Sequence, residues 1–114
     1  MGTKLEELGA GWGYGEEFTD AVTNQLVQAA PGVDELRNYI TDIVVTNNAT
    51  HAITFDLLDG SGGDSILGQH QIPASDKLVI HFVRPVPQPT ANTGLYLTTT
   101  ETSGYGVYVG GFVA

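Results

Sequence analysis

The clearest pattern in the chain runs through Ile53, Phe55 and Leu57, which alternate with Thr54 and Asp56. Side chains on a β-strand point to opposite faces in turn, so this stretch reads as a strand with one buried and one wet face. A half-wet strand belongs in an antiparallel sheet, because parallel sheets are covered on both sides. Just upstream, residues 35–46 are also apolar but alternate imperfectly. Leu36, Ile40 and Val44 share one face, and Tyr39, Ile43 and Val45 the other. Either both faces are covered or the strand carries a bulge. The polar run Asn47-Asn-Ala-Thr50 between the two stretches reads as a turn, so residues 37–58 are expected to form a hairpin.

The same pattern continues in both directions. Residues 18–30 fit a helix through Phe18, Val22, Leu26 and Ala29, or a short strand at 24–29 that turns at Pro31-Gly32 and pairs with 35–46. We adopt the strand. After Leu58, Asp59-Gly-Ser-Gly-Gly-Asp64 is a hairpin loop. Ile66, Leu67 and Ile72 mark a weaker strand that stops at Pro73. In 77–83, Leu78, Ile80 and Phe82 point inward and Val79 and His81 outward. Arg84-Pro-Val-Pro-Gln-Pro89 should end that strand and run over the surface. Two further strands, 95–100 and 105–113, close the series.

About seven short strands at this spacing predict an all-β fold, an antiparallel β-sandwich of jelly-roll-like type. Residues 1–20 stand apart from it. Thr3-Lys-Leu-Glu6 has the form of a capping box, which could start one helical turn. Gly9-Ala-Gly-Trp-Gly-Tyr-Gly15 then sets glycine at every second position, with Trp12 and Tyr14 between. Glycine costs backbone entropy in any regular element, so this segment reads as an arm that orders against something else. The expected organisation is an N-terminal arm, 1–20, and a sandwich domain, 21–114.

Composition narrows the chemistry. The chain has 114 residues and no cysteine, so thiol nucleophiles, disulfides and zinc-thiolate sites are excluded. Thirteen acids against four bases give a net charge of −9, which opposes nucleic-acid binding. No apolar run is long enough to span a bilayer, and the charged start lacks a secretory h-region. Gly2 lacks the Ser or Thr at position 6 that a myristoylation signal needs. Asn48-Ala-Thr50 is formally a glycosylation sequon but is most simply a turn.

No catalytic or metal signature emerges. His51, His70 and His81 lack ligand spacing. The Asp59–Asp64 loop could offer oxygens to calcium, but it lacks the pattern of an EF-hand, and such loops are rich in Gly and Asp for conformational reasons. Gly11-Trp-Gly-Tyr-Gly15 lacks the strand before it and the Lys-Ser/Thr after it that mark a phosphate loop. Asp42 and Asp56, as neighbours across the hairpin, or Asp59 and Asp64, are carboxylate pairs without an evident cleft. Gly-x-Ser-x-Gly is absent. The expectation is a non-enzyme with no cofactor. Trp12, Tyr14, Phe18, Tyr105 and Tyr108 are its expected interface residues, aromatic anchors that either engage another chain or fold back onto the sandwich.

Several pieces carry a resemblance to a known group: Leu26-Val-Gln-Ala-Ala-Pro-Gly32, Ile40-Thr-Asp-Ile-Val-Val-Thr-Asn-Asn48, Ile53-Thr-Phe-Asp-Leu-Leu-Asp-Gly60, Ile72-Pro-Ala-Ser75 and Gly106-Val-Tyr-Val-Gly110. In rhythm they resemble the small β-sandwich virion proteins of tailed bacteriophages, of the capsid decoration or cement type. The resemblance implies a location on the outer surface of the capsid. It implies as partners the major capsid protein and copies of the chain itself; symmetric virion positions make a dimer or trimer the expectation, and the charge and the lack of an apolar span leave nucleic acid and membrane out. An alternative is a carbohydrate- or receptor-binding module of a tail or fibre, with Tyr96, Tyr105 or Tyr108 as stacking platforms.

Overall fold

The computed structural model describes residues 11–100 and 104–114. Eight strands follow one another with no helix among the described residues: β1 (Gly11–Phe18), β2 (Gln25–Gln28), β3 (Asn38–Asn47), β4 (Ile53–Asp59), β5 (His70–Ile72), β6 (Lys77–Pro87), β7 (Leu95–Thr99) and β8 (Tyr105–Val113). They form two four-stranded antiparallel sheets, in the orders β1-β8-β3-β6 and β2-β7-β4-β5. This is the strand order of a jelly roll; the all-β antiparallel sandwich is as expected, with eight strands where about seven were counted.

The core lies between the sheets. Ile40, Ile43, Val45, Val107 and Val109 enter it from the first sheet, and Val27, Ile53, Phe55, Leu57, Ile72, Leu95 and Leu97 from the second. β4 keeps the predicted alternation throughout, with Ile53, Phe55 and Leu57 buried. β3 keeps it in two halves. Its pairing shifts between Ile40 and Asp42 against both neighbours: against β8 Thr41 is the extra residue of a bulge, and against β6 it is Phe82–Pro85 that bow out without a partner. The Thr41 hydroxyl donates to the Gly110 carbonyl at 3.1 Å and so ties the bulge to β8. The bulge reverses the parity of the strand. Ile40 is buried before it and Ile43 and Val45 after it, while Val44 moves to the outer face. That is why no single alternation fits residues 35–46.

The hairpins expected from sequence are mostly crossovers. β3 and β4 lie in different sheets, and so do β2 and β3. Asp42 and Asp56 are therefore not cross-strand neighbours. Of consecutive strands, only β4 and β5 pair, through the Asp59–Asp64 loop, where the Asp59 amide donates to the Asp64 carbonyl at 2.9 Å. The physical reason is burial. Each strand has one apolar face, and passing from sheet to sheet sets those faces against each other. Asn47 secures the first of these corners. Its buried amide donates to the carbonyls of His51, Ile72 and Pro73, and its side-chain oxygen accepts from the Ala49 amide at 2.9 Å. The Pro31-Gly32 turn keeps its expected form, with Gly32 at φ 86°.

Two boundaries differ from expectation. β6 runs on through Arg84 and Pro85 to Pro87. It can do so because Phe82–Pro85 have no partner on β3 and the other side of β6 is a sheet edge, so Pro85 removes no ladder bond. And Gly11–Phe18, expected in an arm ordered by another surface, forms β1 and pairs along its whole length with β8. The single helical turn expected at Thr3-Lys-Leu-Glu6 lies outside the described residues.

Candidate functional site

The register of the first sheet defines its outer surface as four rows of residues across four strands. One row is Gly15, Tyr108, Val44 and Val79; beside it lies Glu17, Gly106, Thr46 and Lys77. On the other flank come Gly13, Gly110, Asp42 and His81, then Gly11, Phe112, Tyr39 and Pro87. The β1 positions in all four rows are Gly or Glu because β1 alternates glycine with inward aromatics from residue 11 to 15. The result is a low glycine floor on one half of the sheet and taller side chains on the other.

Tyr108 lies over that floor. Its ring sits above Gly13 and Gly110, where an added Cβ would come within 3.1 Å and 2.8 Å of its hydroxyl. Those two glycines are needed to seat the ring. Gly15 and Gly106 are not: a Cβ at either meets only ordinary contacts, at 3.7 Å and 3.9 Å. The space left above them is an open trough of about 610 Å³, bounded by Tyr108, Val44, Thr46 and Glu17. Tyr108 remains 44% exposed and Val79 61% exposed, so one apolar row crosses the face from β8 to β6. Beyond Tyr108, Phe112 and Tyr39 stack with ring centroids 5.0 Å apart.

The five expected interface aromatics divide unequally. Tyr108 faces outward. Trp12, Tyr14 and Phe18 are turned inward and pack against the protein's own core. Phe18 stacks on Tyr105 at 5.3 Å between centroids. Tyr105 is itself core, 2% exposed, with its hydroxyl donating to the Asp20 carbonyl at 2.7 Å and sharing a 2.5 Å hydrogen bond with Thr99. Burial pushes the Tyr105 phenol above its ordinary pKa, and does the same at Tyr14. Tyr105 therefore cannot serve as a stacking platform. The inward turn follows from pairing: once β1 joins β8, its even-numbered residues must face the second sheet. Tyr96 is half-buried on the outer face of the second sheet, between Leu26 and Leu58.

Asp42 and His81 are hydrogen-bonded cross-strand neighbours on the outer face, with Oδ1 and Nδ1 2.6 Å apart. His81 is outward, as its alternation predicted. The hydrogen bond with His81, then that from Thr41, holds the Asp42 carboxyl below the usual carboxylate range. A lowered folded-state pKa contributes stability above the unfolded pKa and loses it as pH falls through the folded value. Asp42→Asn should thus slightly flatten the loss of stability as pH falls below about 4, the ordinary carboxylate value. Both side chains are well exposed, so the difference is small. Urea midpoints across that range, compared between the variant and the parent, check it.

No group of three or more His, Cys, Asp or Glu that could hold a metal occurs among the described residues. In the acidic glycine loop the Asp59 carboxylate is engaged by Thr90, which donates from its hydroxyl at 2.6 Å and its amide at 3.3 Å. Gly11–Gly15 is strand, not a phosphate-binding loop.

Neither a protein-family model nor a curated protein matches the sequence. Among solved structures, the chain is similar to one from Bacillus, described as endospore appendages that form a novel family of disulfide-linked pili. The identity is 12%, over 93% of this chain and 87% of that one, with a TM-score of 0.58. It is more distantly similar to the coat protein of Tobacco streak virus, at 12% identity over 87% of this chain and 83% of that one, with a TM-score of 0.44. The first of these likenesses shows a shared jelly-roll fold.

Proposed function

We propose that the chain is a non-enzymatic structural protein of a virion, a decoration protein that docks on the outer surface of a phage head. The observation that carries this reading is the outer face of the first sheet. It has a glycine floor, an exposed tyrosine and an apolar row, with the hydrogen-bonded Asp42 and His81 beside that row. A face of that kind suits close contact with another protein surface, with aromatic and aliphatic anchors at its centre and charge at its margin. Its partner is the major capsid protein. The charge of −9 suits an outer position, away from packaged nucleic acid.

The test is co-sedimentation of the purified protein with empty heads of a tailed phage that encodes it. Saturable binding is expected, with at least tenfold loss for the double variant Tyr108→Ala, Val79→Asp. Equal binding by the double variant, or none by the parent, counts against the proposal.

A second reading rests on Tyr108 alone. An exposed ring held flat beside an open trough is also a stacking platform for a sugar, with Glu17 and Thr46 at hand for hydroxyls. Retention on a glycan array that falls for Tyr108→Phe less than for Tyr108→Ala favours this alternative.

A further inference from the structure

The four edges of the sandwich are not equivalent. β2 has four residues and a slipped register. β5 has three residues and runs into Pro73. β6 is long, but it carries Lys77, Arg84, Pro85 and Pro87, and its pairing breaks opposite the Thr41 bulge. Shortness, prolines, bulges and charged residues are the usual ways in which an edge is closed to further pairing. β1 is neither short nor bulged and has no proline, and its only charges, Glu16 and Glu17, stand towards one end. Its eight residues hold an unbroken register with β8, and they include no proline, lysine or arginine. The side of β1 away from β8 has no strand beside it among the described residues.

We infer that β1 is a self-association edge, at which β1 of one copy pairs antiparallel with β1 of a second copy. The two copies are related by a twofold axis normal to the sheet, and two four-stranded sheets become one of eight strands. This deepens the structural role proposed above and rests on it. Opposed residues in an antiparallel pair share a face. Outward Gly11, Gly13, Gly15 and Glu17 therefore meet only their own kind across the seam. With the axis at Tyr14, Glu17 faces Gly11 of the partner subunit and Glu16 faces Trp12 of the partner subunit. With the axis at Gly15, Glu17 faces Gly13 of the partner subunit. In both registers no acid opposes an acid, although each chain carries −9. The opposed glycines put no side chain in the way. The joined sheet also brings the two glycine floors, each with its Tyr108, onto one continuous surface.

The second copy is favoured over a foreign strand by this self-complementarity. An isologous contact needs a patch that matches itself under twofold rotation, and β1 does so without opposing like charges. The net charge sets a further mark. Two acidic copies repel at long range, so added salt should tighten the dimer, where a contact built on opposite charges would loosen.

The absence of cysteine makes the test direct. Single cysteines replace Gly15 or Gly11 on β1, where a Cβ meets nothing closer than 3.7 Å and 3.6 Å, and Gln71 on β5 or Lys77 on β6 as controls. Each full-length variant is treated with a short bismaleimide. Sedimentation velocity of the unmodified protein is run at rising concentration and salt. The expected result is a concentration-dependent dimer that strengthens with salt, and cross-linking at least tenfold faster from β1 than from β5 or β6. Amide hydrogen exchange on the unmodified protein should show protection in 11–18 that rises with concentration, a readout independent of any variant's folding. A monomer up to millimolar concentration, or a dimer that cross-links through β5 or β6, overturns the inference. A β1 dimer that ignores phage heads leaves the inference standing and removes the capsid reading; a monomer that binds heads does the reverse.

Discussion

Replacing Phe55 by alanine is expected to destabilise the fold by about 3–5 kcal/mol. Phe55 is 1% exposed, on β4, which has strands on both sides in the second sheet. Its ring lies in the layer between the sheets with Ile53 and Leu57 from its own strand and the valines of β3 and β8 opposite. Two terms add: the transfer free energy of the lost ring, and the cavity that two paired sheets cannot close. β4 is pinned through Phe55–Asp59 to β7 and through Ile53–Phe55 to β5, so the backbone has little freedom to collapse inward. A domain of this size has a total stability on the order of 5–15 kcal/mol, so the variant stands close to unfolding. Equilibrium urea denaturation gives the number. A loss under about 1 kcal/mol would show that the sheets can move together and that the layer around Phe55 is loosely packed.

Gly111→Ala should have a comparable effect for the opposite reason. Gly111 lies on β8 opposite Ile40, next to the bulge in β3. A methyl group there would overlap the backbone carbonyl oxygen of Tyr39 and the six-membered ring of Trp12. The indole can turn. The carbonyl cannot, because it belongs to the neighbouring strand of the same sheet. The added carbon can be admitted only by parting β8 from β3, which disrupts the centre of the first sheet. Overpacking costs about 1–3 kcal/mol where side chains yield, and more where backbone must move, so about 3 kcal/mol or more is expected. Gly15→Ala, with its Cβ in ordinary contact, is the control and should change stability little. Thermal melts of the two variants beside the parent decide it. Similar midpoints for both would mean that β3 and β8 can separate locally at the bulge.

These two sites also show how legible the chain was. Phe55 could be placed in the core from its alternation alone, because burial of one strand face is a local pattern with period two. Gly111 could not. Nothing in Gly110-Gly111 says which residue seats a tyrosine on the outer face and which clears a carbonyl within the sheet, since both are demands of neighbouring strands. Tyr105 and Tyr108 make the same point at the candidate site. Three residues apart on one strand, they looked alike as exposed platforms; parity sends one into the core and the other out. The glycine-aromatic segment follows the same rule. Glycine's poor strand propensity favours an arm, and pairing with β8 overrides it, as sheet context commonly overrides propensity.

The linear sequence by itself determined the all-β class, the positions of β3 to β8 to within a few residues, the buried row of β4, the outward His81, and the turns at Pro31-Gly32 and Asp59–Asp64. All of these rest on interactions within a strand or a turn, where the period of the pattern is visible. Only the tertiary structure decided which strands pair. It turned two expected hairpins into crossovers between sheets, added β1 to the first sheet, and assembled the glycine floor beneath Tyr108. Strand partners are chosen by the burial of whole faces against each other, and that choice belongs to segments far apart in the chain: Gly15 meets Tyr108, and Val44 lies between Tyr108 and Val79.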